Sequence, residues 1–138
     1  MRTFSGFFET LGDLDWLAIV VATIVVLAVI TMLFYGPGLG KKWAQANGTE
    51  YSMKMDLKQD IPGLVQAFLL QIGVAYMGAA DDIEHSLVTA LMVTLFLIGP
   101  ALMARVIWLN ASKTAYAIDL GYYFCAVAVG GYVQGLMA

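Results

Sequence analysis

The sequence predicts an all-α fold: a four-helix transmembrane bundle with a short N-terminal amphipathic interfacial helix. Hydrophobic residues make up 61% of the 138-residue chain and charged residues 12%, whereas soluble domains average about 45–50% and about 25%. The apolar residues are also gathered into four long runs, as expected when each run crosses a bilayer. So short a chain leaves no room for a separate soluble domain, and we expect a single integral membrane domain over residues 1–138.

The N-terminal segment, residues 4–14, is predicted to form a helix that lies in the membrane interface. Phe4, Phe7, Phe8 and Leu11 recur at the three- and four-residue spacing that places side chains on one helix face. The alternative is a tail without fixed structure, which would leave three aromatic side chains in water. We therefore expect an amphipathic helix ahead of the first span.

The first span is the clearest of the four and covers residues 16–35, with the sequence WLAIVVATIVVLAVITMLFY. It carries no charge, and only Thr23 and Thr31 interrupt its apolar side chains. About 20 residues of helix rise roughly 30 Å, the thickness of a bilayer's hydrocarbon core. The run is too long for the apolar region of a cleaved signal peptide, and no small-residue cleavage site follows it. We expect it to remain in the mature protein.

The connection after the first span begins with Gly36-Pro37-Gly38-Leu39-Gly40. This segment is expected to end the helix, because proline lacks an amide proton and glycines permit tight turns. The polar residues 44–60 are expected to form a loop with at most a short surface helix. Aromatic and basic side chains near such an exit anchor a chain at the headgroup level. The predicted interface anchors are Trp16, Tyr35, Pro37, Lys41 and Trp43.

Three further spans are predicted over residues 62–80, 86–109 and 115–136. The second is expected to begin at Pro62, because proline favours the first helical position. The basic residues then predict the orientation of the bundle in the membrane. All of them except Arg2 lie in the first and third connections, and the positive-inside rule therefore predicts that both termini lie outside the cytoplasm. The residues concerned are Lys41, Lys42, Lys54, Lys58, Arg105 and Lys113.

Asp119 is the most costly residue of the predicted spans, because a carboxylate inside a transmembrane helix usually marks a pathway or a buried pair. It lies about one turn into the fourth span, and Arg105 lies near the same end of the third. A structural pair between the two would clamp the helices together. The alternative is a proton or ion relay.

Asp81, Asp82, Glu84 and His85 form an acidic cluster ahead of the third span. Carboxylates and an imidazole suit a divalent metal. The same residues also suit a helix start, where acids stabilise the positive end of the helix dipole. We favour the capping interpretation, keep the metal site as a weak candidate, and expect no cofactor.

Glutamines and glycines inside the spans are predicted to mediate helix packing. Gln66 and Gln71 are expected to hydrogen-bond across helices, as polar side chains do in lipid. Gly131 and Gly135 form a small-xxx-small pattern in the fourth span, which permits close approach of two backbones. Packing within the bundle and self-association both remain open for this pair.

The sequence shows no nucleophile–base pair, no phosphate-binding loop and no paired catalytic carboxylates, so it offers no argument for an enzyme. Its basic residues are too few and too scattered for a nucleic-acid surface. The leading hypothesis is a non-catalytic membrane subunit, homo-oligomeric or accessory to a larger, for example energy-transducing, complex. The alternative is a small transporter or channel that uses Asp119, Arg105 and the two glutamines; a metalloprotein or enzyme built on residues 81–85 ranks third. The expected partners are membrane lipids, including a bound lipid, and other membrane subunits or a second copy.

The start of the chain reads Asp15-Trp16-Leu17-Ala18, then Tyr35-Gly36-Pro37, and then Gly40-Lys41 with Trp43. This pattern resembles the opening signature of a family of small bacterial membrane proteins catalogued as domain of unknown function 1761. Asp15 stands where the family usually has Asn, Phe34 where it has Trp, and Leu39 where it has Phe. The resemblance implies a four-helix fold in a bacterial cytoplasmic membrane, and it implies no activity.

A looser part of the resemblance lies in the fourth span, where Ile118-Asp119-Leu120-Gly121-Tyr122 is similar to the family's Ile-Asn-x-Gly-Tyr. Asp119 again stands in place of Asn. A neutral Asn suits packing better than proton transfer, so the resemblance favours a structural role for this position.

Overall fold

The computed structural model describes residues 4–35, 39–48, 57–77 and 82–137. These residues form seven α-helices, and one π-helical turn, Thr94–Ile98, joins the fifth to the sixth. Four helical stretches are long and apolar enough to cross a membrane: Trp16–Leu33, Asp60–Met77, Ile83–Leu109 and Lys113–Met137. The prediction of an all-α fold with four spans is confirmed. The helices are α1 (Phe4–Gly12), α2 (Trp16–Tyr35), α3 (Leu39–Ala46), α4 (Leu57–Met77), α5 (Ile83–Val93), α6 (Gly99–Leu109) and α7 (Lys113–Met137).

Helix α7 is the centre of the bundle. Helices α2, α4 and α7 each pack against the other two, and the third span, made of α5, the π turn and α6, packs mainly against α7. Many of the buried apolar side chains are small, among them Ala22, Ala67, Ala90 and Ala126. Small side chains let helix backbones approach closely, which is how helices gain packing energy in lipid.

Helix α1 lies at the end of the bundle where α4 finishes. Its Phe7 ring sits 5.6 Å from the ring of Tyr76, centroid to centroid. None of its side chains is fully buried, and Phe4 and Phe8 are exposed. Asp15 then starts α2, because its carboxylate accepts a hydrogen bond from the backbone N–H of Ala18 at 3.1 Å.

The third span changes its winding just before Gly99-Pro100. Pro100 has no N–H to donate to the carbonyl of Phe96, four residues earlier, and its ring would crowd that carbonyl. The helix instead makes one wider π turn, in which the N–H of Gly99 donates to the carbonyl of Thr94, five residues earlier. The hydroxyl of Tyr116 donates to the carbonyl of Gly99 at 3.0 Å. The span therefore stays continuous through its proline, and α7 supports it at that point.

Two predicted boundaries are wrong. Helix α4 begins at Leu57, so Pro62 lies inside the helix and not at its first position. Leu39 and Gly40, expected to belong to a helix-ending turn, open α3. Gly40 and Ala44 of this short helix are buried one turn apart, and their small side chains let α3 pack against α2 and α7. Pro37, the side chain of Tyr35 and residues 78–80 lie outside the described residues.

Candidate functional site

Two carboxamides lie in the middle of the bundle and bond to each other. Gln71 of α4 and Gln134 of α7 are only 0% and 4% exposed. The amide of Gln71 donates to the backbone carbonyl of Ala126 at 3.2 Å. The amide of Gln134 donates to the backbone carbonyl of Gln71 at 3.1 Å and to its side-chain oxygen at 3.2 Å. The pair joins α4 to α7 through reciprocal hydrogen bonds in an apolar environment, where unmet polar groups are costly.

Adjacent glycines in α7 make room for this contact. A Cβ at Gly130 would overlap the carboxamide of Gln71. A Cβ at Gly131 would lie 3.4 Å from the hydroxyl oxygen of Ser86 and 3.6 Å from Val74. Ser86 of α5 donates its hydroxyl to the carbonyl of Ala128, which ties the third span to the same stretch of α7. Gly131 therefore faces α4 and α5 inside the bundle, and Gly135 is half-buried.

The other predicted glutamine makes a separate contact. Gln66 donates to the hydroxyl oxygen of Tyr123 at 2.7 Å on the exposed side of the α4–α7 contact. Both glutamines thus bond α7, the kind of interhelical contact expected of them. Tyr123 and Gln134 were not singled out in the sequence, because a tyrosine and a late glutamine in an apolar run carry no pattern of their own.

Asp119 bonds a tryptophan instead of an arginine. The indole N–H of Trp43, in α3, donates to Oδ1 of Asp119 at 2.9 Å. Arg105 is exposed, and within the described part of the chain no ion pair joins it to Asp119. The predicted Asp119–Arg105 clamp is therefore wrong, because α3 places Trp43 against α7 at that point. The family resemblance could have suggested this bond, because Trp43 and Asp119 both lie in segments that resemble the family.

A small cavity of about 20 Å³, lined by both polar and apolar residues, lies beside this bond. Its volume suits about one water molecule. Asp119, Arg105, Ser112 and Asn47 are among its lining residues. The described ends of α3 and α6 and the start of α7 therefore meet at one end of the bundle.

The acidic cluster caps a helix. The carboxylate of Asp82 accepts a hydrogen bond from the backbone N–H of His85 at 2.7 Å, and this defines the N-terminus of α5. Glu84 and His85 are exposed. In the described ranges no group of three His, Cys, Asp or Glu side chains is placed to hold a metal ion. Asp81 lies outside those ranges.

The predicted interface anchors fall at two ends of the bundle. Trp16 opens α2, and its ring lies 6.3 Å from that of Phe68. Lys41 is exposed on α3, whereas its neighbour Trp43 is half-buried by the bond to Asp119. Trp43, predicted as an interface anchor, is thus a tertiary contact of the bundle.

Comparison with known proteins places the chain in a family. No curated protein and no solved structure matches it. A family model described as "Protein of unknown function (DUF1761)" matches residues 17–135. The match contains all four spans except Trp16 and the last two residues of the fourth span. Trp43, Gln71, Asp119 and Gln134 lie within it. The chain belongs to this family of proteins of unknown function.

Proposed function

We propose that this chain is a non-catalytic integral membrane subunit, either homo-oligomeric or accessory to a larger membrane complex such as an energy-transducing one. One observation carries the proposal: three of the four polar side chains predicted to act inside the membrane are engaged in contacts between helices. Gln66, Gln71 and Asp119 each bond another helix of the same chain. Groups held in this way stabilise a bundle and are not free to bind a substrate.

The third span supports an association through its outer side. It packs mainly against α7, and many of the side chains on its remaining surface are large and apolar. Phe96 and Trp108 are 70% and 81% exposed on that surface. In lipid, helices associate through close van der Waals packing, and a span with one main neighbour has room for a second.

A small transporter is the second candidate, and the cavity beside Asp119 and Arg105 is the observation in its favour. It is supported less well, because Gln71 lies in the sealed core and two large cavities are lined almost entirely by apolar side chains. Vesicles that hold the Asp119→Asn variant test it. Abolished pH-driven uptake by a normally folded variant would favour transport over the subunit.

The proposed location is the cytoplasmic (inner) membrane of a bacterium, with both termini outside the cytoplasm. The excess of Lys and Arg in the first and third connections supports this orientation. The shared cavity of Asn47, Arg105 and Ser112 supports it further, because both connections then lie at one end of the bundle.

Purification in mild detergent tests the subunit proposal. We expect a mass above that of one chain plus detergent, from copies of itself or from a co-purifying membrane protein. Phe96→Ala should weaken the assembly. Ile24→Ala also replaces a large exposed apolar side chain with alanine, but on α2, and it should not weaken the assembly. A monomer in both detergent and native membranes, measured by cross-linking, would contradict the proposal.

A further inference from the structure

An apolar groove of about 510 Å³ separates the second span from the third. Leu69, Gly73 and Met77 of α4 line one wall, and Val93 and Leu97 line the other. Val127 of α7 lies at its base. Apart from Tyr76 its lining side chains are apolar, so the groove offers no set of polar groups that would orient a polar ligand.

The length of the groove along α4 is close to the thickness of the hydrocarbon region of one bilayer leaflet. Leu69 and Met77 are eight residues apart on α4, which corresponds to about 12 Å along the helix axis. Half of a hydrocarbon core is about 15 Å. Phe7 and Leu11 of the amphipathic helix α1 line the same groove, beside the end of α4. The groove therefore runs from the interfacial end of the bundle towards the middle of the membrane.

The surroundings of the groove select a hydrocarbon chain as its occupant. Between two membrane spans the available solvent is lipid, and an apolar cavity is a poor site for water. A methylene chain is narrow and flexible enough to fill an apolar slot of this length. A polar solute would lose its hydration there without gaining partners.

Acidic side chains at the end of the bundle towards which the groove opens, here called the acidic rim, select the headgroup. Glu9 lies on α1, and Asp82 and Glu84 lie at the start of α5; all three are exposed. The described basic side chains lie at the opposite end of the bundle, on α3, at the end of the third span and at the start of α7. An ammonium group is attracted to such an acidic rim, whereas an anionic headgroup is repelled.

We propose that this groove is a lipid site, which holds one acyl chain of a phospholipid with a primary ammonium headgroup, in the leaflet that contains α1. The site does not depend on the proposed subunit role. The acyl chain lies between α4 and the third span, and the ammonium group faces the acidic rim.

A pair of glycines in α4 tests the acyl-chain site. A Cβ at Gly73 or at Gly63 would meet no atom within 4 Å, so a side chain can start at either position without a clash, yet only Gly73 lines the groove. The protein is placed in vesicles of equal phosphatidylethanolamine and phosphatidylglycerol and then released into native mass spectrometry. Wild type and Gly63→Leu should retain about one phosphatidylethanolamine per chain, and Gly73→Leu should lose it.

Three further measurements complete the test. Leu97→Trp should also displace the lipid, whereas Leu95→Trp, on the same span but outside the groove, should not. Glu9→Gln combined with Glu84→Gln should remove the preference for phosphatidylethanolamine while a lipid is still retained. Equal retention by Gly73→Leu and Gly63→Leu, with Leu97→Trp also unaffected, would overturn the site. A dimer that dissociates in Gly73→Leu would place a second copy there instead.

Discussion

The backbone carbonyls of Ala126 and Ala128 each accept a hydrogen bond from a side chain of a neighbouring helix. A carbonyl oxygen has two lone pairs, so it can accept such a bond while it still serves its own helix. Gln71 and Ser86 use these acceptors, and Gly130 and Gly131 provide the space. At the scale of single residues, two backbone carbonyls of α7 thus accept the hydrogen bonds that hold α4 and α5 against it.

Gly130→Ala is expected to destabilise the bundle by about 1–3 kcal/mol, because the added methyl overlaps the carboxamide of Gln71 and forces an overpacked core to shift. The midpoint of thermal unfolding in detergent measures the effect. Gly121→Ala is the matched control in the same helix, since a Cβ there meets no atom within 4 Å. Equal midpoints for the two variants would show that the Gln71–Gly130 contact is not tight.

Asp119 is expected to be structural. Asp119→Asn keeps an oxygen that accepts from the Trp43 indole and should leave stability nearly unchanged, whereas Asp119→Leu should lose about 1.5–3 kcal/mol, as for a hydrogen bond to a charged group. Trp43→Phe keeps an aromatic ring, smaller than the indole, and removes the N–H donor.

The control is a double-mutant cycle on unfolding midpoints. If the bond is the cause, Asp119→Leu should cost little once Trp43→Phe is present. Additive losses from the two changes would rule out a direct partnership between these residues.

At the scale of elements, helix ends and irregular turns depend on a few hydrogen bonds and small residues close to them. The third span keeps its direction through Pro100 by one π turn, and Tyr116 supports the widened turn through Gly99. Helix α3 is short, but its buried Gly40 and Ala44 pack against α2 and α7. The start of α5 depends on one carboxylate, that of Asp82.

Asp82→Ala is expected to destabilise the third span by about 1 kcal/mol, the usual loss for an N-cap. Asp82→Asn should preserve stability, because its oxygen can still accept from the N–H of His85. Hydrogen exchange at the first turn of α5 measures the change locally. If Asp82→Asn destabilised the helix as much as Asp82→Ala, and only in the presence of a divalent ion, the metal interpretation would replace the cap.

At the scale of the whole molecule, the described helices place two connections at the same end. Asn47 follows α3, Arg105 lies near the end of α6 and Ser112 precedes α7, and all three line one cavity. Phe7 and Tyr76 meet at the end where α1 and the finish of α4 lie. Four spans require the two termini to share a side, and this arrangement agrees with that requirement.

Reporter fusions test the orientation. A reporter that is active only in the cytoplasm should be inactive when fused to either terminus and active when inserted beside Lys54, between α3 and α4. Neutral substitutions of Lys41 and Lys42 should lower the fraction of correctly oriented protein. An active fusion at either terminus would reverse the proposed topology.

The sequence alone determined that the chain is a membrane protein, that its fold is all-α, and roughly where its four spans lie. The reason is that these depend on local properties: a hydrocarbon core demands about 20 apolar residues in each helix, wherever the helices finally pack. The Asp82 cap is equally local, since the donor is the backbone of a residue three positions later. The boundaries at Pro62 and Leu39 were wrong, because a proline or a glycine does not by itself end a helix. Pro62 lies inside α4, and Leu39 and Gly40 open α3, which packs against α2 and α7.

Only the tertiary structure decided which polar groups meet. Trp43 and Asp119 are separated by 76 positions in the chain, and Gln71 and Gln134 by 63. Nothing in the periodicity of an apolar run states which face of one helix will contact which face of another. The pairing follows from where glycines and alanines let backbones approach, and in lipid that close approach, together with the need of each buried amide for a partner, selects one arrangement of the bundle.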